Sequence, residues 1–282
     1  GFFANGGSRC YVAAADPAAA DRPTALRAAL AALAPLLDVD LVAVPDAILL
    51  ADAAEQYALQ RDVLAQCCEH GDRLAILDSR RGSSVDGVLE QRRAIGVGAA
   101  EPVSGALYYP WLRNDLDRWV PPCGHVAGIY ARSDARVGVF KAPANEEIFD
   151  ALDVEAVIDN GQQDRLNPEG VNCLRAFPGR GIRVWGARTL SRDPSWRYVS
   201  ARRLFLTIGR WIDRNMTWAA FEANEQRLWL RIRRELDTYL TALWRAGALQ
   251  GATPAEGFFV NCDGETNPPE NRLAGQVVTE IG

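Results

Sequence analysis

The sequence predicts an α/β protein with mixed sheets flanked by helices and a Rossmann-like N-terminal portion, on three observations. In the first third, short strand-like apolar runs alternate with longer runs at helical spacing. Such alternation needs crossover connections, hence a largely parallel sheet covered by helices. Past the middle, "NCLRAF" and "IRVWGA" are separated by Pro178-Gly179-Arg180-Gly181, a hairpin turn in which proline presets φ and glycine can take positive φ. The segment after Asn224 repeats apolar residues at a helical period.

In chain order, "RCYVAAA" reads as a strand, "TALRAALAALAPLL" as a helix and "DLVAVPD" as a strand. "YALQRDVLAQCCEHG" is a helix stopped by Gly71, and "RLAILD" is the next strand. Ser79 to Pro102, rich in Gly, Ser and charge, reads as a mobile connection carrying a short helix. The texture changes at Ser104, dividing an alternating portion, residues 1–103, from a second portion, residues 104–282, which together can form one composite domain. "GALYYPWL" is a strand ended by Pro110, and "VPPCGHVAGIYARSDAR" runs through Pro-Pro-Cys-Gly into a short helix. "RYVSARRLFLTIGRWIDR" is amphipathic, "WAAFEA" is a short strand, and Asn224 is a cap for the next helix. That helix sets Trp229, Ile232, Leu236, Leu240 and Leu243 on one face and Arg227, Arg231, Arg234, Thr238 and Arg245 on the other, and Gly247 ends it. "GFFVNCD" and "QVVTEI" are further strands; Asn172 to Ala187 and Gly257 to Asp263 are expected in one sheet.

Composition narrows the function classes. The chain has 282 residues, 48% hydrophobic and 24% charged, which is the balance of a folded globular protein. The net charge of −5 argues against nucleic acid as a partner, since phosphate-binding surfaces show a basic excess. Lys141 is the only lysine, so the basic side chains are otherwise arginine. "ALRAALAALAPLL" is broken by Arg27 and Pro35, and no run approaches the roughly 20 apolar residues of a membrane helix. The chain opens on Gly1-Phe2-Phe3 with its one methionine at Met216, which suggests a fragment, a processed chain or the ordered part of a longer one. The six cysteines form no C-x-x-C pair and only His70 and His125 could join them, so reduced thiols of a cytosol-made protein are expected and no zinc site.

Four chemical readings present themselves. A phosphate loop needs glycines opening into a helix, and "PGRG" opens into a strand instead. Asp46 and Asp78 each follow an apolar strand, where open α/β sheets receive ligands. They could hold Mg²⁺ for a hydrolase or phosphotransferase reaction, or serve as turn formers and helix caps. Cys123 and His125 suggest a nucleophile and base, but a third group must orient the base and residues two apart rarely present their side chains to each other; Gly124 providing tight packing, with His125 beginning a helix, is favoured. Cys173 alternates with Leu174 and Ala176 as a core thiol.

"GALYYPWL", "VPPCGHVAGIYARSDARVGVFKAPANE", "LNPEGVNCLRAFPGRGIRVWGARTLS", "WRYVSARRLFLTIGRWID" and the segment from "WAAFEANEQ" to "GFFVNCD" resemble, in order and spacing, the sheath protein of contractile phage tails and of phage-tail-like injection particles. The resemblance is specific from Ser104 to Asp263, with Cys123 standing where a small hydroxyl residue is expected. It implies a sheath-type C-terminal portion and a structural subunit without catalytic residues, cofactor or metal. Such subunits polymerise helically around an inner tube and contract to drive it through a target envelope. The implied partners are other sheath subunits, the inner tube protein, and baseplate and terminator proteins, with no nucleic acid and no membrane. The implied location is a virion tail or injection particle assembled in the bacterial cytoplasm. Under it, Arg175, Arg180, Arg183 and Arg188 become ion-pair or packing residues within or between subunits, and Arg227, Arg231 and Arg234 face the tube. Since the chain begins at "GFFANGG" and stops at "VVTEIG", the family's strand-exchanging N-terminal and C-terminal arms are expected to be absent from it. The chain alone is then expected to be a monomer or weak oligomer with an open sheet edge, to be checked by light scattering and negative-stain imaging.

Overall fold

The computed structural model describes residues 1–16, 18–96 and 103–282. The chain divides into two compact units, Gly1–Thr207 and Ile208–Gly282. In the first, α1 (Arg22–Ala31) starts where Asp21 accepts from the Thr24 N–H, the side-chain cap that satisfies an orphan donor of the first turn. It is shorter than its apolar run because Pro35 disfavours helical backbone before it. Then follow β1 (Leu41–Val42), α2 (Ala53–His70) and β2 (Leu74–Asp78). Asp52 caps α2, and Gly71 ends it at φ 65°, the left-handed turn expected of that glycine. The chain continues through α3 (Val85–Ile95), β3 (Gly105–Tyr109), β4 (Leu112–Arg113), β5 (Trp119–Val120), α4 (Cys123–Arg136), β6 (Asp153–Val154), α5 (Asn160–Leu166), β7 (Val171–Phe177), β8 (Gly181–Trp185) and α6 (Val199–Asn215).

One five-stranded sheet in the order β1-β2-β3-β7-β8 organises the unit. The first four strands are parallel; β8 returns antiparallel through the Pro178-Gly179 hairpin, Gly179 having φ 70°. Side chains alternate along β3 and β7. Leu107, Tyr109, Val171 and Cys173 enter a core with Val63, Val88 and Leu166. Ala106, Tyr108 and Leu174 enter a second core on the other face with Val126, Ile129 and Val199. The sheet is thus buried on both sides, which is what its near-continuous apolar strands require. A small antiparallel sheet, β5-β4-β6, lies beyond β3 in the chain.

The second unit is built on α7 (Gln226–Arg245), with β9 (Val260–Asn261) and β10 (Glu280–Ile281). Trp229, Ile232, Leu236 and Leu240 pack with Val260 and Cys262, with Leu243 at the margin. Trp211 and Tyr239 stack with centroids 4.0 Å apart.

Several expectations are corrected. "RCYVAAA" forms no strand: Val12 is 84% exposed, the alanines have little to bury, and Arg9 and Tyr11 bind Asp38 instead. The stretch from Ser79 is a packed element rather than a mobile connection, because α3 buries Val88, Leu89 and Ile95; positions 97–102 of that expectation lie outside the described residues. "WAAFEA" is a 3₁₀ turn, Thr217–Phe221. Glu225, not Asn224, holds the N-cap position of α7; Asn224 accepts from Trp229 Nε1 at 2.8 Å and donates to the Gln276 carbonyl at 2.7 Å. "GFFVNCD" does not share a sheet with β7 and β8, since β9 pairs with β10 in a separate two-stranded sheet of the second unit. The β8 side of the large sheet is not open either. Asn145 N–H donates to Val184 O and Ile148 N–H to Ile182 O, both at 2.8 Å, so residues 145–148 line that edge.

At the carboxyl end of β2, where open α/β sheets receive ligands, the protein fills the space itself. The Asp78 carbonyl accepts from Gln60 Nε2 at 2.8 Å and Gln91 Nε2 at 3.0 Å, and the Asp78 carboxylate accepts from the Cys123 N–H at 2.8 Å. The remaining cavity, beside Gln60, Ile76 and Asp78, is about 10 Å³, room for about one water. Burial pushes Asp78 up from 3.8 to about 7, outweighing the bonds from Cys123 that lower it.

Two predictions follow from these contacts. The folded state keeps a proton on Asp78 that the unfolded chain has released, so this group makes stability fall as pH rises from 3.8 to about 7 and contributes no further slope above. Asp78→Asn keeps the acceptor for Cys123 and does not titrate. Its melting temperature should therefore gain on the natural protein across that window and hold a level lead beyond it; a lead that shrinks as pH rises would contradict the assignment. On α4, tight packing lies at Gly128 rather than Gly124. A Cβ at 128 would stand 2.3 Å from the Phe2 carbonyl oxygen, whereas one at 124 would meet only the Phe2 nitrogen at 4.0 Å. Gly128→Ala is expected to cost about 1–3 kcal/mol in denaturant melts, and Gly124→Ala to be neutral or to stabilise by up to ~1 kcal/mol.

Candidate functional site

The stretch from Asn167 to Ser191 folds as scaffold. Asn167–Glu169 make a 3₁₀ turn, Gly170 follows at φ 81°, and β7 begins. A Cβ on Gly170 would stand 2.5 Å from the Thr189 carbonyl oxygen, so glycine lets the two chain segments touch. Buried Asn172 donates to the Arg188 carbonyl and accepts from the Arg188 N–H, at 2.8 and 2.7 Å.

Of the four arginines singled out there, three spend their side chains on the hairpin. Arg175 reaches Asn160 Oδ1 at 3.1 Å and lies over the Phe177 ring. Arg180 donates to Asn145 Oδ1 at 3.0 Å and covers the same ring. Arg183 donates to the Arg180 and Asn145 carbonyls, with Glu147 3.9 Å away. Arg188 is held by its backbone, and among the described residues its side chain has no hydrogen-bond or ion-pair partner.

Other polar clusters carry more of the fold. Arg203 makes a bidentate pair with Asp134 at 2.7 and 2.6 Å while only 5% exposed, and lies over the Tyr130 ring. Buried Arg92 donates to the Glu169 and Leu190 carbonyls at 2.8 and 2.6 Å. Glu146 gathers Lys141 and Arg136 at 2.5 Å and Arg132 at 3.8 Å. Burial alone would raise Glu146, yet the Lys141 hydrogen bond and the three cations hold it below the usual carboxylate range. A sole lysine five residues before a carboxylate was the one local signal for this cluster.

On α7, Arg227, Arg231 and Arg234 fall on the face opposite the core, with Thr238 and Arg245. They are unequal. Arg231 lies 3.6 Å over the Trp218 ring and pairs with Glu222 at 3.7 Å and Glu235 at 3.4 Å. Arg227, Arg234 and Arg245 have no ion-pair partner among the described residues. Between them stands Leu230, 58% exposed, which the sequence pattern alone did not mark.

The catalytic candidates are not assembled. Asp46 is exposed in the 3₁₀ turn Pro45–Leu49 while Asp78 is buried under Gln60 and Gln91, and Asp46 does not line the cavity beside Asp78. Among the described residues, no group of three or more His, Cys, Asp and Glu side chains is placed to hold a metal. The Mg²⁺-dependent reading of Asp46 and Asp78 is therefore withdrawn. Cys123 is the first residue of α4, and burial drives its thiol well above the usual range. His125 turns away to the Asp150 carbonyl at 3.2 Å, and burial lowers it. Cys173 is buried and pushed up to about 12, a thiol rather than a nucleophilic thiolate.

Comparison with known proteins agrees with a scaffold. The family described as phage tail sheath protein central domain matches residues 19–190, and phage tail sheath C-terminal domain matches residues 191–282. The chain is similar, over 100% of its length at 32% identity, to a chain of the anti-feeding prophage baseplate, with a TM-score of 0.85 and 74% of that chain covered. To the anti-feeding prophage helical sheath in its contracted state it is similar at 32% identity and a TM-score of 0.83, over 100% of this chain and 75% of that one. It is 30% identical over 160 residues to the tail sheath protein of Vibrio phage KVP40, and 29% identical over 163 residues to that of Enterobacteria phage T4. Each match takes in 55% of this chain and spans 23% of the phage relative. With both family descriptions covering consecutive stretches of a body that shares this fold, the chain belongs to the phage tail sheath protein family.

Proposed function

We propose that the chain is the packed body of a contractile sheath subunit, which polymerises helically around an inner tube and contracts to drive that tube through a target envelope. The observation carrying this is its likeness, over its whole length, to a helical sheath in the contracted state. Its partners are other sheath subunits, the inner tube protein, and baseplate and terminator proteins, in a virion tail or injection particle assembled in the bacterial cytoplasm. The work is stored in assembly, so the subunit is not an enzyme and takes no cofactor, nucleic acid or membrane. Residues 1–103 supply the alternating layers and residues 104–282 the sheath-type portion, with β2 and β3 pairing across that division. A helical polymer needs a contact that does not close on itself, and contraction needs two packings of nearly rigid bodies.

The α7 stripe is the tube-facing surface in this scheme. Arg227 and Arg234, which have no carboxylate partner among the described residues, meet acidic tube residues; Arg231 holds Trp218, Glu222 and Glu235 and so fixes the shape of the stripe. Charge complementarity of this kind sets recognition and on-rate, and it is screened by salt. The test is co-assembly of the full-length gene product with its tube protein. Arg227→Glu with Arg234→Glu should abolish co-assembly without moving the melting temperature of the isolated subunit, whereas Arg231→Ala should cost about 1 kcal/mol of stability. Undiminished co-assembly by the double reversal would remove the stripe from the tube contact.

A further inference from the structure

The loop 188–198 sends Leu190 into the first core, while Arg192, Arg197 and Tyr198 stay exposed. It is closed at its base: Arg188 and Tyr198 form an antiparallel bridge, and the Thr189 N–H donates to the Arg197 carbonyl at 2.8 Å. Inside, the Thr189 hydroxyl donates to the Trp196 carbonyl and Asp193 caps the turn at Ser195. The loop is therefore a rigid shape. Trp196 packs edge-on against Phe205 of α6 at 4.9 Å and carries the Arg202 guanidinium at 5.0 Å. Yet Phe205 is 56% and Tyr198 51% exposed. On the same loop stand Arg188, Arg192 and Arg197, none with an ion-pair partner among the described residues. Exposed aromatics beside unpaired arginines, on a rigid support, have the composition of an interface centre rather than of ordinary surface.

The chain carries a matching surface elsewhere. After β1, the 3₁₀ turn Pro45–Leu49 and the first turn of α2 expose Asp46, Asp52 and Glu55 around Leu49, which is 51% exposed. No ion-pair partner among the described residues neutralises these three carboxylates, although Arg80 reaches the Ala51 carbonyl nearby. The two surfaces lie at opposite ends of the parallel strands. The acidic ledge follows the carboxyl end of β1, while the loop is tied to the amino end of β3 through the Leu190 N–H and the Gly105 carbonyl at 2.9 Å. A molecule with unlike, complementary patches at its two ends associates head to tail, and such a contact propagates.

We propose that the loop 188–198 with Phe205 docks a second copy of this chain, receiving that copy's ledge of Asp46, Leu49, Asp52 and Glu55. The proposal rests on the sheath-subunit reading for the existence of a polymer, and adds which surfaces meet within it. Phe205 and Tyr198 cover Leu49 of the next copy, and Arg188, Arg192 and Arg197 meet its carboxylates.

The experiment uses the full-length gene product and reads polymer by sedimentation and negative-stain imaging. One variant carries Arg192→Glu with Arg197→Glu; the other carries Asp46→Arg with Glu55→Arg, leaving Asp52 to cap α2. Each variant alone should lose roughly tenfold or more of its polymer through like-charge contact, while a one-to-one mixture should recover it, because each then presents the charge the other lacks. Recovery also shows that both variants fold. Polymer from either variant alone, or no recovery on mixing, overturns the contact and leaves the sheath reading standing. Normal polymer with lost binding to another particle protein gives the loop to a different partner and overturns it too. A natural product that never polymerises overturns both.

Discussion

The side chain of Asn172 stands where the large sheet could have come apart. After β8 the chain returns to the amino end of β3, and at Arg188 it belongs to no strand, having only an isolated bridge to Tyr198. Fully buried Asn172 ties that segment to the sheet: it donates to the Leu107 and Arg188 carbonyls and accepts from the Arg188 N–H. Gly186 makes room for it, since a Cβ there would sit 2.8 Å from the Asn172 oxygen. Removing the amide would strand buried backbone groups, each at about 1–3 kcal/mol. The 188–198 loop begins at this knot.

Arginine does two separate jobs in this chain. Arg92 and Arg203 are inward staples, one bridging carbonyls from distant segments and the other locked on Asp134. Breaking such a buried pair by removing one partner costs about 3–5 kcal/mol. Exposed pairs such as those of Arg231 are worth about 0–1 kcal/mol each and weaken with salt. Among the described residues the side chains of Arg192, Arg197, Arg227 and Arg234 have no ion-pair partner, which leaves their charge to a neighbour.

How much of this could be read in advance depends on the range of the signal. The stop at Gly71, the Pro178-Gly179 hairpin, the strand "GALYY" ended by Pro110 and the apolar face of α7 are all local patterns, and each appears where the residues place it. Where strand-like composition met no partner strand it failed: "RCYVAAA" leaves Val12 exposed and touches a core only through Ala15, and "WAAFEA" winds into a 3₁₀ turn. The fate of an individual arginine was not legible at all. Arg203 finds its carboxylate 69 residues away and Arg92 finds a carbonyl 98 residues away, distances over which spacing carries no information. Asp78 shows the same limit, because its place after a strand suits both a ligand site and the plug that Gln60 and Gln91 make of it.

These magnitudes also bear on how a contracting assembly can work. A subunit whose segments are tied by buried amides, staples and two apolar cores resists internal rearrangement, since every knot that opens costs more than a surface contact gains. Exposed arginine contacts with a neighbour are individually weak, act over several ångströms and can re-form against a new partner group after a slide. In the proposed sheath, the change between extended and contracted packings therefore belongs to the surfaces and not to the body. Stiffness inside and exchangeable charge outside are one requirement, met here by the same residue type in two environments.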